Sequence, residues 1–272
     1  MDSTRASTAS PYTGTADRFG AASLDWRPVS AYTSIACVPG QQLVRVRIDH
    51  DASVKPHTFR GMLGAMPPDA PCLRDARVPI HVTTYGTLLK FISPGGGGDL
   101  SVLGVRAGDV VAYAVPPGAI GAVAFLMVAS QAVAAPLDAT IKLAEAKSAL
   151  LQVKVQHVIF FEGLASAGLR TAVEELQEED IARGGRKRIS VHTASPRAAD
   201  EPGMFDLSAS PRQPHEGKQD VQLSRSADDV CLLLRTSGTT SMPKGVPLRQ
   251  GQLVRNALLL GSSFQLTPDD IC

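Results

Sequence analysis

From Gly104 onward, apolar and polar positions follow a repeating rhythm. "GDVVAYAV" is a short apolar run of strand type, closed by Pro116-Pro117-Gly118. Ala119 to Ser130 has the length and apolar content of a buried helix, and "AVAAPL" follows it as a second strand. Ile141 to Gln152 predicts an amphipathic helix, "HVIFFEG" a third strand, Leu164 to Gln177 another helix and "RISVH" a further strand. Strands that alternate with helices of this length predict an α/β protein built on a parallel sheet with helices on both faces.

Ahead of that series, "FRGMLGAMPPDAPCL" reads as a helix followed by a turn. Tyr85, Leu88, Leu89 and Ile92 then fall at i, i+3, i+4 and i+7, one face of a helix. The glycines Gly95 to Gly98 end it. Because no strand precedes them and no Lys-Ser/Thr follows, they are expected to form a flexible connector rather than a phosphate loop. Residues 194–227, rich in Pro, Ser, Asp and Gln, read as a long surface loop. "DVCLLLRT" restores a buried strand, with Cys231 a core residue, and Gly251 to Phe264 predicts the next helix. Residues 1–50 are expected to be a variable, partly disordered segment, and 51–272 the folded part.

Composition narrows the function classes. The 272 residues are 44% hydrophobic and carry 27 basic against 26 acidic side chains, a net charge of +1. A nucleic-acid surface needs a basic stripe, and Arg186-Lys187-Arg188 is too short for one, so no nucleic-acid partner is expected. Cys37, Cys72, Cys231 and Cys272 are far apart and form no CxxC pair, which predicts neither zinc nor a disulfide framework. His50 stands between Asp49 and Asp51 without a second His or Cys nearby, so it reads as a surface turn, and no protein metal site is expected. The first thirty residues lack the apolar core of a secretory signal. The longest apolar stretch, Ala119 to Leu137, is interrupted by Ser130 and Gln131 and reads as helix plus strand, not a membrane span.

The chemistry concentrates in "RTSGTTSMPKGV", directly after the leucines of the last strand. A parallel strand delivers the residues after it to the carboxyl edge of its sheet, where α/β proteins bind ligands. Gly238 and Gly245 let the backbone bend and let amides approach an anion. Ser237, Thr239, Thr240 and Ser241 offer hydroxyl donors, and Lys244 a mobile positive charge. The ATPase and GTPase P-loop requires Gly before the lysine and Ser or Thr after it; Pro243 and Gly245 stand there instead.

The stretch "TSGTTSMPKGV" resembles the phosphate loop of the adenylate-forming enzymes, which include acyl-CoA synthetases, peptide-synthetase adenylation domains and luciferases. "TTYGTLL", the run from "LGVRAGDVVAYAV" to "KSALLQ", and "HVIF" stand in the order of that family's N-terminal domain. The resemblance implies a partial AMP-binding domain over residues 51–272. It also implies a two-step reaction in which a carboxylate attacks the α-phosphate of ATP, releasing pyrophosphate, and the thiol of coenzyme A then displaces AMP. By the same resemblance, Thr236, Ser237, Gly238, Thr239, Thr240, Ser241 and Gly245 bind the β- and γ-phosphates, and Lys244 also serves catalysis by steadying the departing pyrophosphate. Mg²⁺ would share that charge. The partners implied are a small carboxylic acid and coenzyme A.

Ser241 stands where the loop commonly has Gly, and with "PKGVPL" it is similar to the oxalate–CoA ligase branch, which points toward a small dicarboxylate. "RQGQ" replaces the Thr-His-x-Asn that often follows the loop. The family's Thr-Glu magnesium motif, ribose-binding Asp, hinge and C-terminal domain are not found, so the chain reads as an N-terminal portion without its C-terminal domain. Such a portion is expected to leave sheet edges and apolar faces open, to aggregate, and to be catalytically silent alone. A domain that loads a carrier protein, or a non-catalytic nucleotide-binding module, are the alternatives. The compartment expected is cytoplasmic or peroxisomal.

Overall fold

The computed structural model describes residues 58–74, 80–184, 189–197, 201–209, 226–236, 244–267 and 270. Helix α1, Phe59–Gly64, is capped by the Thr58 hydroxyl, which accepts a hydrogen bond from the Gly61 N–H. Strands β1, Pro71–Arg74, and β2, Val82–Thr84, form a small antiparallel pair. Thr84 caps α2, Tyr85–Phe91, through the Thr87 N–H. A 3-10 turn at Leu100–Leu103 leads to β3, Val110–Ala114. The series then runs through α3 (Ala119–Gln131), β4 (Val133–Leu137), α4 (Leu143–Gln152), β5 (His157–Phe161) and α5 (Ala167–Ala182). It closes with β6 (Ser190–Pro196), β7 (Phe205–Ala209), β8 (Val230–Arg235), β9 (Gly245–Arg249) and α6 (Gln250–Ser263).

Seven strands form one sheet in the order β7-β6-β5-β3-β4-β8-β9. The inner five are parallel, and β7 and β9 join the two edges antiparallel. Side chains alternate across the sheet as strand geometry requires. Val111, Tyr113, Ile159 and Phe161 pack with Leu88, Phe91, Val123, Met127 and Val254 on one face. Val110, Ala112, Val158 and Phe160 pack with Ala149, Leu150, Leu169 and Val173 on the other. Helices thus cover both faces, as the alternating pattern predicts. The apolar stretch from Ala119 divides into α3 and β4, and no helix among the described residues is long and apolar enough to cross a membrane.

The sheet is wider than the sequence pattern implies. Within 194–227, expected as a surface loop, β6 runs on to Pro196 and Phe205–Ala209 form β7. Phe205 is fully buried, edge-on to Phe91 and Phe161 with ring centroids 5.2 Å away in each case. The edge strand β9 also departs from the expectation of open edges. Thr236 and Lys244 form a hydrogen-bonded pair, so by alternation Leu233 and Pro247 form a non-bonded one. Pro247 therefore stands where an N–H would otherwise point away from β8, which blunts the edge against strand addition. Apolar side chains are nonetheless exposed along and beyond α6, at Leu258, Leu260, Phe264 and Leu266.

Gly95 is exposed, but Gly96 to Gly98 are closely packed, against the expectation of a flexible connector. A Cβ on Gly96 would overlap the carbonyls of Lys90 and Phe91, and one on Gly98 would lie 2.8 Å from the Phe91 ring. The Gly98 carbonyl accepts from Gln131 Nε2 at 2.8 Å, while Gln131 Oε1 accepts from the Leu100 N–H at 2.9 Å. Asp99, also buried, accepts from the N–H groups of Gly95 at 2.6 Å and Ser101 at 2.9 Å. Burial alone would push its carboxyl up, but the bonds from Gly95 and Ser101 outweigh it and hold Asp99 below the usual carboxylate range. A depressed folded value contributes stability above the unfolded value, about 3.9, which is lost as pH falls through the folded one. Asp99→Asn keeps one acceptor but sets an NH2 donor against the other N–H, so it is expected to cost about 1–3 kcal/mol at pH 7, the range for a buried group left unsatisfied. Thermal melts of the two proteins should converge as pH falls below the unfolded value; a gap that persists through the folded value would contradict this assignment.

Candidate functional site

Strand β8 begins in the core, with Cys231 fully buried, and emerges at Leu234 and Thr236. The chain returns antiparallel as β9, so the two strands form a hairpin that opens at the carboxyl edge of the sheet. Thr236 and Lys244 form its neck. The Thr236 N–H donates to the Lys244 carbonyl at 3.0 Å, and the Lys244 N–H donates to Thr236 Oγ1 at 3.1 Å. The Thr236 hydroxyl is thus engaged as a latch. Lys244 is exposed at the rim. Ser237, Gly238, Thr239, Thr240 and Ser241 lie outside the described residues.

Gly245 does not supply the bend expected of it. It opens β9 in register with Arg235, and a Cβ there would meet nothing within 4 Å. The helix expected after the loop is likewise preceded by a strand. Gln250 then fixes the start of α6: it is buried, its Oε1 accepts from the Phe59 N–H at 2.7 Å, and its Nε2 donates to the Ala129 carbonyl at 3.4 Å. The "RQGQ" stretch therefore ties α6 to α1 and α3, and the Gln252 side chain accepts from the Arg249 N–H at 2.9 Å.

A second polar cluster, not anticipated from the sequence, lies at the opposite, amino edge. His157 Nδ1 and His192 Nε2 are 3.1 Å apart, and His157 Nε2 is 3.2 Å from Asp109 Oδ2. The cluster joins the beginnings of β3 and β5 to β6. Its one trace in the sequence is a polar residue at or just before the start of a strand. His50 and the Arg186–Arg188 run lie outside the described residues.

The neck spends its two N–H groups on itself, so what suits an anion is the exposed Lys244 and, by sequence, the Ser/Thr/Gly-rich stretch before it. No group of three or more His, Cys, Asp or Glu among the described residues is placed to hold a metal ion.

An α/β sheet whose carboxyl edge carries Thr236 and Lys244, joined in sequence by a Ser/Thr/Gly-rich stretch, is the setting in which α/β proteins bind ligands. Residues 64–272 match the sequence profile of the AMP-binding enzymes, and the chain belongs to that adenylate-forming family. It is 29% identical over 168 residues to a probable CoA ligase of Humulus lupulus, covering 61% of this chain and 29% of that protein. It is 27% identical over 188 residues to an oxalate–CoA ligase of Arabidopsis thaliana, covering 69% of this chain and 34% of that protein. The crystal structure of apo MatB from Rhodopseudomonas palustris superposes with a TM-score of 0.53 at 21% identity, covering 79% of this chain and 39% of that one, a likeness of fold. The chain spans about a third of the length of these curated relatives.

Proposed function

We propose that this chain supplies the phosphate-gripping part of an ATP-dependent acid–CoA ligase that activates a carboxylate as an acyl-adenylate. The observation that carries the reading is the hairpin neck. Its two strands close on Thr236 and Lys244 at the carboxyl edge of the sheet, which supports reading the Ser/Thr/Gly stretch that joins them in sequence as the phosphate loop.

When a carboxylate oxygen bonds to the α-phosphorus, the bond to the bridging oxygen of pyrophosphate breaks, and that oxygen leaves with the electron pair. Negative charge therefore grows on the departing group. Donors already in place stabilise it without reorganising. In this reading Lys244 neutralises the pyrophosphate, the amides around Gly238 approach its oxygens, and Ser237, Thr239, Thr240 and Ser241 add hydroxyl bonds. Mg²⁺ would share the charge of the phosphates. The Ser241 variant of the loop and the oxalate–CoA ligase relative support a small dicarboxylate as the acid and coenzyme A as the acceptor. A cytoplasmic or peroxisomal setting belongs to the same proposal.

The 272-residue polypeptide should bind magnesium tripolyphosphate, measured by titration calorimetry, and give no carboxylate-dependent ATP–pyrophosphate exchange. Failure to bind would overturn the phosphate reading. Exchange would overturn the silence proposed for the isolated polypeptide, and its dependence on oxalate or another acid would name the substrate.

A further inference from the structure

We propose that Arg235 is a positioning residue, a strut that holds the hairpin neck in place by tying the end of β8 to helix α4; its role in binding rests on the phosphate reading of the hairpin. The parallel ladder between β4 and β8 consists of one pair, Ala134 with Leu232. Beyond Leu232, β8 is laddered to β9, while the end of β4 meets it through side chains, Ala135 to Leu137 lining one crevice with Leu233 and Arg235. What fixes this end of the hairpin against the body is therefore side-chain contact.

Alternation directs Leu233 toward the α4 face of the sheet, and Arg235, two residues on, follows it. The Arg235 side chain is only 12% exposed. Its Nε donates to Gln152 Oε1 at 3.3 Å, at the last residue of α4, and its Nη1 is 3.7 Å from Glu145 Oε1 in the first turn of that helix. The stem lies over a narrow apolar crevice between Leu137, Leu150 and Val153. Across the ladder Arg235 faces Gly245, which has no side chain to pair with it, and by alternation the two backbones exchange no hydrogen bond there. The side chain therefore adds a tie to the body that the β8–β9 ladder does not supply, one residue before the Thr236 latch.

As a stabilising ion pair the arrangement is poor. Glu145 is 59% exposed and the contact is long, and such pairs contribute little. A planar guanidinium spanning both ends of one helix nevertheless fixes direction well, because its donors diverge in a rigid fork. Geometry rather than stability is what this residue supplies.

The test compares Arg235→Met, Arg235→Lys, Gln152→Leu and the Arg235→Met/Gln152→Leu double variant. Amide exchange at Thr236 reports the neck without any ligand, and calorimetry with magnesium tripolyphosphate reports binding. We expect Arg235→Met to speed Thr236 exchange and to weaken binding, each about tenfold, with little change in melting temperature. Gln152→Leu should reproduce part of both effects, the double variant should be no worse than Arg235→Met, and Arg235→Lys should restore part of the loss. Unchanged Thr236 exchange in Arg235→Met would overturn the strut. So would weakened binding in Arg235→Met with Gln152→Leu at wild-type values, since that pattern marks direct contact with phosphate. If Arg235→Met does not fold, Gln152→Leu alone carries the test through the same two readouts. A wild-type chain that binds no tripolyphosphate would overturn the phosphate reading and the binding role of Arg235, whereas exchange at Thr236 judges the strut by itself.

Discussion

Lys244→Met is expected to weaken binding of magnesium tripolyphosphate by roughly 10- to 100-fold while leaving the melting temperature within a degree or two. A hydrogen bond to a charged group contributes on the order of 1.5–3 kcal/mol, and that range sets the factor. Lys244 sits on the exposed rim of the hairpin, and its backbone, not its side chain, makes the neck bonds to Thr236. Surface substitutions of this kind usually change stability by less than about 0.5 kcal/mol. Affinity should therefore fall with the fold intact. Calorimetric titration and a thermal melt on the same sample check both halves. Equal affinity in the two proteins would remove Lys244 from the site.

Phe205→Ala is expected to cost about 3–5 kcal/mol, the range for emptying a buried phenylalanine site. The ring is fully buried between Phe91 and Phe161, so its removal opens a void where α2, β5 and β7 meet. At roughly 2–4 °C per kcal/mol for a domain of this size, the melting midpoint should fall by about 6–20 °C. The experiment also separates two views of the 194–227 segment. A phenylalanine on a surface loop would shift the midpoint by a degree or so.

Those two residues mark where the sequence was readable and where it was not. Lys244 was legible because its chemistry lies in a contiguous stretch that follows a strand of leucines. The inner strands were legible too, since β3, β4 and β5 are short apolar runs bounded by turn residues and buried on both faces. The edge strands were hidden by the rules that make them good edges. In β9, Gly245 and Pro247 argue against a central strand, yet Pro247 is well suited to an open flank. In β7 only Phe205 and Leu207 are large and apolar, and polar residues surround them. The Gly96–Gly98 stretch was misread because close packing of glycine leaves no mark in composition; only the neighbouring Lys90 and Phe91 carbonyls reveal it. The Thr236 latch depends on the register of a hairpin whose second strand was not recognised, and the meeting of His157 with His192 on register between segments 35 residues apart, which no local pattern encodes.

The most direct measurement of the central claim is the amide-exchange footprint of magnesium tripolyphosphate on the polypeptide. A phosphate-gripping hairpin predicts slower exchange across residues 236–245, with β6 and β7 at the far edge of the sheet unchanged. Exchange that is unaltered across the hairpin at saturating ligand, or slowed only elsewhere, would contradict it.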